Sequence, residues 1–469
     1  MMNSKEAIKE FYNQTAAERA QWNKRNRFYH KSLERYFSLI IPEGKRVIEL
    51  GCGFGDLLNA VKPAYGAGID FSENAIDIAR RKHPHLHFTV ADVEELNITE
   101  KFDYVIISDL LSGLWDVQQC IRCVHQLCTP DTRIVISQYN FAWEPLIKFA
   151  QFAGLKQKQF TQSWFSVDDV NGLLSLEGFE LVTVDRRLLL PVYIPVIHTL
   201  VNRFFANLPL LNKLDLLRVI VARPQSAPHR GSSVSIIVPA RNEKGNIEQA
   251  ITRTPEFGTH REFIFIEGHS QDNTYEEILR VQAAYPHEDI KALQQTGKGK
   301  GNAVREAFDA ATGDVLMILD ADLTMPPEEL PKFYDALCSR KGEFINGCRL
   351  VYPMEKNAMR FLNLLGNKFF GWFFSYLLSQ RLKDTLCGTK VLYKADYEKI
   401  KANRNYFGEF DPFGDFDLLF GAAKQNLKIV EVIIRYKDRE YGSTQINRFQ
   451  HGMLLIKMSL FAAKKIKFI

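Results

Sequence analysis

Apolar positions along the chain fall into two blocks of alternating short elements. Residues 1–40 interleave Tyr12, Trp22, Phe28, Tyr29 and Tyr36 with charged positions, a pattern that predicts helices. From Arg46 onward, short apolar runs predict buried strands over 46–50, 67–70, 87–90, 104–108 and 133–138. Residues 73–82 and 117–127 read as intervening helices. Strands alternating with helices imply a parallel sheet covered on its faces.

The alternation stops at Arg223-Pro224-Gln225-Ser226-Ala227-Pro228-His229-Arg230-Gly231-Ser232-Ser233, which lacks periodicity and is rich in Pro, Ser and Gly. A second block begins at Val234, with strands expected at 263–267, 315–319 and 344–347. The expected organisation is therefore an α/β chain of two domains: 1–222, a linker over 223–233, and 234–469. A length of 469 residues is too great for one ordinary core and agrees with that division. Residues 361–378 come nearest to a membrane span, but Asn363, Asn367 and Lys368 interrupt them. They read as an amphipathic helix pressed into an interface. Residues 453–469 mix apolar side chains with Lys457, Lys464, Lys465 and Lys467, as in a basic helix on a membrane surface. Packing on the core would produce the same two patterns.

A net charge of +5 suits anionic ligands such as nucleotides or lipid phosphates and gives no argument for nucleic acid. Residues 1–24 are polar, without the apolar core of a signal peptide. Seven cysteines, an odd number without framework spacing, fit a reducing compartment. The expected location is cytoplasmic, with the amphipathic segments allowing attachment to the cytoplasmic face of a membrane. Cys120, Cys123 and Cys128 surround His125, but no second cluster completes a four-ligand zinc site. Small apolar fillers on a helix account for them.

The first block carries Glu49-Leu50-Gly51-Cys52-Gly53-Phe54-Gly55 at the end of a strand. Gly51, Gly53 and Gly55 allow a sharp turn and close approach of a ligand to the backbone. Asp70 ends the next strand, where an acid can hold ribose hydroxyls. Glu49 is placed to meet an ammonium group, and Asp92 to meet an adenine amine. With Gly68-Ile69-Asp70, Ala91-Asp92-Val93 and Tyr104 to Asp109 in order, the stretch resembles the class I S-adenosylmethionine-dependent methyltransferases. The resemblance implies S-adenosylmethionine as cofactor, with the glycine turn and Glu49 beside its methionine end, Asp70 at ribose and Asp92 at adenine. It also implies a lid from the helices bearing Trp22, Asn26, Tyr29 and His30. Asp109 follows the fourth strand and is the candidate catalytic residue, with a helix N-cap as the alternative. His30 is a second candidate base, or a packing residue. The methyl acceptor is not readable.

In the second block, Asp320 and Asp322 end an apolar strand at alternate positions. Such a pair repels unless a cation lies between, and Mg2+ or Mn2+ bridging a diphosphate is the natural occupant. Asn242 and Glu243 follow the first strand of this block, Glu267 ends the second, and Asp272 is close behind. Gly297-Lys298-Gly299-Lys300-Gly301 offers mobile backbone and the cations Lys298 and Lys300 for phosphate, without the ending of a Walker loop. Together with Val238-Pro239-Ala240-Arg241-Asn242-Glu243, these resemble the family 2 glycosyltransferases of GT-A fold, over roughly 234–452. Asn346 to Arg349, Asp384 to Lys390 and Arg439 to Ser443 resemble the polyprenyl-phosphate sugar transferase branch.

The resemblance implies that Pro239, Ala240, Asn242, Glu243, Glu267 and Asp272 line the donor site and that Asp320 and Asp322 hold the metal. Arg349, Arg439 and Ser443 would face phosphate. Asp415 and Asp417 stand where inverting relatives place a catalytic carboxylate; a sugar hydroxyl needs such a base more than a lipid phosphate does. Three positions depart from the family: Glu267 in place of Asp, Gly268-His269 in place of Gly-Ser, and Thr444 in place of Lys. The expected activity is bifunctional: glycosyl transfer from a nucleotide-diphosphate sugar to a polyprenyl phosphate, and methyl transfer to a sugar or glycan of the same pathway. The rivals are transfer to a surface polysaccharide hydroxyl, a methyltransferase half that only binds its cofactor, and a Rossmann oxidoreductase.

Overall fold

A computed structural model describes residues 5–157, 160, 163–229, 231–352, 361–404, 414–439, 441 and 448–468. Side chains of 361–363 and 448–452 are outside the description. The chain divides into two compact units, Met1–Ser226 and Ala227–Lys467.

The first unit is built on seven strands: β1 (Arg46–Leu50), β2 (Tyr65–Asp70), β3 (His87–Val90), β4 (Phe102–Ser108), β5 (Cys128–Tyr139), β6 (Phe179–Arg187) and β7 (Leu217–Pro224). Their order is β3-β2-β1-β4-β5-β7-β6, with β7 antiparallel to both neighbours. Both faces of the sheet are covered, so its strands read as continuous apolar runs rather than alternating ones. Val47, Tyr104 and Val135 pack on one face, and Ile48, Val105 and Ile134 on the other. Three helices, Lys5–Gln14, Ala16–Arg25 and Arg27–Ile40, precede the sheet, as the aromatic spacing predicts. The structure shortens the expected linker, because Arg223 and Pro224 pair with Glu180 and Phe179 at the end of β7. Proline is tolerated there because the ladder ends with it.

The second unit holds β8 (Val234–Ala240), β9 (Arg261–Glu267), β10 (Asp289–Gln294), β11 (Val315–Ile318), β12 (Phe344–Cys348), β13 (Lys390–Tyr393) and β14 (Ile429–Ile433). The order is β10-β9-β8-β11-β13-β12-β14, with β13 antiparallel. In each sheet the strand order reverses between two neighbours, β1 and β4 in the first and β8 and β11 in the second. Ligands of open parallel sheets bind outside the carboxyl ends of such strands. In the second sheet Pro239 helps to open that crevice. The β8–β11 ladder runs only from Val234 to Ile237, and proline offers no N–H to extend it.

Helix Phe361–Leu378 turns Phe374 inward, 4.5 Å from Phe416 and 5.0 Å from Phe420 of helix Asp415–Lys424. Its Phe369 and Trp372 are exposed. Helix Arg448–Ile466 likewise buries Leu455 and Met458 and exposes Met453 and Leu460. Among the described residues, no helix is long and apolar enough to cross a membrane.

Candidate functional sites

In the first unit the turn after β1 places Gly51, Gly53 and Gly55 at φ of +68°, +50° and +73°, the region that side chains disfavour. A Cβ on Gly51 would stand 2.6 Å from Leu110, whereas one on Gly53 would meet open space. Asp70 ends β2 and accepts hydrogen bonds from Gly53 N and Ser72 N, both at 2.9 Å. It therefore holds the turn while remaining at the ligand edge. Burial pushes its carboxyl up, and the two backbone donors oppose that shift. Glu49 is buried, which raises its carboxyl well above the ordinary range; it accepts 3.0 Å from Leu58 N.

Asp92 reaches the same edge, but Lys5 Nζ stands 3.0 Å from its carboxylate and Lys9 Nζ 3.6 Å. Lys5 also meets Glu94 and Glu95, at 3.2 and 2.9 Å. Burial disfavours the Lys5 ammonium, and these carboxylates more than offset it, so its pKa is raised. The first helix is thereby strapped to the residues that follow β2 and β3. Asn13 adds to the strap, accepting from Asn74 N at 3.0 Å and from Ser72 Oγ at 3.1 Å.

Asp109 follows β4 at φ +51°. Tyr29 Oη donates to its Oδ2 at 2.5 Å, and Ser137 Oγ to its Oδ1 at 3.2 Å. The helix-cap alternative receives no support, because the neighbouring short helix has Leu110 as its cap without a side-chain bond. Beside Asp109, the ends of β4 and β5 and the segment Ser163–Phe165 line a small open pocket, with Leu111 and Ser112 at its edge. Lys156 lies over the Tyr139 ring at 4.1 Å, and burial brings its pKa down to about 8 despite Asp109. Neither Lys156 nor Tyr139 stands out in the sequence, which has no motif around them. Burial also lowers the pKa of His30, which packs edge-on to Tyr29 at 5.4 Å. Trp22 is half-buried and Asn26 exposed. The cysteines of the first unit are packing residues: Cys120 is buried, and Cys128 Sγ donates to Val124 O at 3.2 Å. Among the described residues no three His, Cys, Asp or Glu gather into a metal-binding group.

In the second unit, Asn242 follows β8 at φ +56° and Leu323 follows β11 at φ +51°. Arg439 joins the two sides of the crevice. Its Nη1 lies 3.0 Å from Glu243 Oε1 and its Nη2 lies 2.5 Å from Asp322 Oδ2. Burial pushes Glu243 up to about 7 even though Arg439 opposes the shift. Lys300, first residue of helix Lys300–Ala310, forms an ion pair with Asp320. Burial works against both charges, but their mutual attraction prevails: Lys300 is raised and Asp320 lowered. Each carboxylate of the Asp-x-Asp pair is thus held by a cation from this chain.

Gly388 makes that approach feasible, since a Cβ there would stand 2.0 Å from Asp320 Oδ2. Asn242 Oδ1 accepts from Gln271 N at 2.7 Å, and Glu243 N donates to Thr274 Oγ1 at 3.1 Å. Glu267 accepts from Ser270 N, and Asp272 accepts from Thr274 Oγ1. His269, at φ +57°, places Nε2 2.9 Å from Gly297 O and so ties the end of β9 to the glycine–lysine loop. Pro239 and Ala240 lie beside Ile266 and Glu267 in register, at the crevice mouth. Lys298 is exposed.

Arg349 does not present an open fork. Asp384 accepts from its Nε and Nη2 at 2.7 and 2.8 Å, with the carboxylate fully buried. Asp415 and Asp417 open helix Asp415–Lys424 and are both buried. Lys390 Nζ lies 3.0 Å from Asp415, and Arg404 Nε lies 3.1 Å from Asp417. Ser443 and Thr444 lie outside the described residues. The sequence marks Asp415 and Asp417 but not their partners. Lys390, at the start of β13, and Arg404 become visible as partners only in the folded chain.

With this geometry in place, two family models match: residues 21–184 match "Methyltransferase domain", and residues 235–399 match "Glycosyl transferase family 2". The chain joins a methyltransferase domain to a glycosyltransferase family 2 domain. The second is similar to the dolichol-phosphate mannosyltransferase of Pyrococcus furiosus, 36% identical over 107 residues, which are 22% of this chain and 30% of that protein. The dolichol-phosphate mannosyltransferase of Saccharomyces cerevisiae is 37% identical over 109 residues, 22% of this chain and 40% of that protein. An undecaprenyl-phosphate 4-deoxy-4-formamido-L-arabinose transferase from Shewanella sediminis is 34% identical over 103 residues, 21% of this chain and 31% of that protein. The matched stretches thus span 30% to 40% of these relatives. Among solved structures, a SAM-dependent methyltransferase from Thermotoga maritima aligns with TM-score 0.37 and 16% identity, covering 47% of this chain and all of that one. Magnesium protoporphyrin IX methyltransferase from Synechocystis PCC 6803 aligns with TM-score 0.34 and 17% identity, over 47% of this chain and 100% of that one.

Proposed function

We propose that the second unit transfers a glycosyl group, with inversion, from a nucleotide-diphosphate sugar to a polyprenyl phosphate. The observation that carries this reading is the Asp320–Asp322 pair at the β8–β11 switch point, neutralised by Lys300 and Arg439. Lys300 and Arg439 stand where positive charge is wanted, so the pair fits a divalent cation, Mg2+ or Mn2+. Two protein carboxylates would supply part of an oxygen shell that diphosphate and water complete. Such a cation stabilises the charge that develops on the nucleoside diphosphate leaving group.

The chain's own residues do the rest. Asn242, Glu267 and Asp272 shape the pocket for base and ribose. Lys300 and Arg439 exchange their carboxylate partners for diphosphate oxygens as the donor enters. The acceptor phosphate oxygen attacks the sugar C1 and the nucleoside diphosphate departs. This acceptor is already an anion and needs no proton removed. The pairing of Asp415 with Lys390 and of Asp417 with Arg404 favours it over a glycan hydroxyl, which would need one of these carboxylates as base.

The first unit, taken as domain 1–222, binds S-adenosylmethionine and transfers its methyl group to a sugar or glycan of the same pathway. Gly53 leaves open space for the cofactor, and Asp70 stands at the ribose position. Asp109 orients the acceptor in the adjoining pocket. The enzyme works at the cytoplasmic face of a membrane.

The test is transfer of label from UDP- and GDP-sugars, with Mg2+ or Mn2+, into polyprenyl phosphate. Label should enter the organic phase and fall on the order of 100-fold or more in Asp322→Ala. Label confined to an aqueous glycan would replace the acceptor reading and make Asp415 and Asp417 the candidate bases.

A further inference from the structure

One face of the first unit reverses the usual arrangement of a surface. Helix Glu144–Phe152 and the segment 188–216, between β6 and β7, point large apolar side chains outward. Phe149, Phe152, Leu155, Val196 and Leu210 are 65%, 86%, 70%, 77% and 78% exposed. The amides in this region are turned inward instead. Asn140, Asn207 and Asn212 are buried. Asn140 Nδ2 donates to Lys213 O and Asp215 O at 3.1 and 3.0 Å, and Asn202 is bonded both ways to Leu190 at 2.8 Å. Trp143 Nε1 donates to Leu214 O at 2.7 Å, which joins helix and segment into one surface. Leu188 and Leu216 anchor the segment's ends in the core. Solvation by water does not account for a segment that buries its amides and exposes its leucines. An exposed apolar surface of this extent marks an interaction site.

The charge pattern identifies the partner. From Leu188 to Leu214 there is no Asp or Glu, while Arg203 and Lys213 are present and Arg186 is exposed just before the segment. On the neighbouring helix the one carboxylate, Glu144, is paired with Lys148 at 2.6 Å and adds no net negative charge. Exposed aromatic and aliphatic side chains with cations in excess of acids are the composition of segments that lie in an anionic lipid interface. The segment 188–216 also lies outside the residues matched by either family model.

We infer that this face docks the chain onto a bilayer containing anionic phospholipid. The inference deepens the polyprenyl-phosphate reading, since it brings the chain to the phase where such an acceptor resides. It is tested without that acceptor. Full-length chain is floated with vesicles of phosphatidylcholine alone or mixed with phosphatidylglycerol. It should float with the anionic vesicles and be released by high salt. Phe152→Asp with Leu210→Asp should reduce flotation at least about tenfold, because two apolar anchors are lost. Circular dichroism and S-adenosylmethionine binding should stay unchanged. Val196→Asp provides a second variant if the double variant misfolds, and Trp372→Asp in the second unit should still float.

Absence of flotation in the native chain, or flotation indifferent to both variants, overturns the inference. So does light scattering that shows a dimer which the double variant converts to a monomer. Failed flotation with retained transfer into detergent-dispersed polyprenyl phosphate would overturn the docking face alone and leave the glycosyl-transfer reading standing.

Discussion

At the residue scale, Asp109, Asn242 and His269 adopt positive φ within two residues of the ends of β4, β8 and β9. A left-handed conformation costs a non-glycine residue on the order of 1–2 kcal/mol, so surrounding contacts must hold it. Those contacts are visible: Tyr29 and Ser137 hold Asp109, and Gln271 holds Asn242. The same scale decides how a cation would enter the second site. Lys300 already neutralises Asp320, so a metal arriving without diphosphate competes with a bound ammonium. Removing that competitor in Lys300→Gln should strengthen Mn2+ binding in the absence of nucleotide by about tenfold, the equivalent of one ion pair worth ~1.4 kcal/mol. Paramagnetic resonance of free Mn2+ measures it. Glycosyl transfer should fall in the same variant, since Lys300 also serves the diphosphate. Equal Mn2+ affinity in both proteins would show that Lys300 holds no cation's place.

At the element scale, the helix Lys5–Gln14 places a cation on a carboxylate that the proposed cofactor site would use. Lys5 occupies the Asp92 carboxylate, the group assigned to the adenine amine. Lys5→Gln should therefore raise S-adenosylmethionine affinity about fivefold, a gain of ~1 kcal/mol for a partly exposed ion pair. Calorimetric titration measures this, and a loss of affinity would mean that Lys5 contacts the cofactor instead.

The elements differ in how openly the sequence announces them. Strand β1 and the helix Glu73–Lys82 coincide with their apolar runs, because a buried parallel strand and an amphipathic helix each have an undiluted pattern. Strand β13, only Lys390–Tyr393, has a buried lysine at its start and lacks such a run. Segment 188–216 gives no such pattern: Leu188 and Leu216 are buried, while Leu200, Phe204, Phe205 and Leu210 stand at the surface. Both sites are legible as carboxylates and glycines at strand ends. Their counter-charges are not, because Lys5, Lys300, Lys390, Arg404 and Arg439 reach their partners across the fold.

At the scale of the whole molecule, the two chemistries are built separately. Each has its own seven-stranded sheet with its own switch point. Glu49, Asp70, Asp92 and Asp109 all belong to Met1–Ser226, and Glu243, Lys300, Asp320, Asp322 and Arg439 to Ala227–Lys467. No named contact of either site requires a residue from the other unit. Chemical independence is therefore the expected behaviour of the intact chain. Asp322→Ala should abolish metal-dependent glycosyl transfer and leave S-adenosylmethionine affinity within about twofold. Asp70→Asn should weaken cofactor binding at least about tenfold, through loss of a charged hydrogen-bonding group and of its hold on Gly53 N, and leave glycosyl transfer intact. The two variants, each assayed for both properties, form a complete cross. If Asp70→Asn slowed glycosyl transfer, or cofactor addition altered it in the native chain, the first site would regulate the second. The methyltransferase domain would then act as a cofactor sensor as well as, or instead of, a catalyst. A clean cross would favour two reactions joined only by a shared pathway, with the fusion serving to deliver both to the same membrane surface.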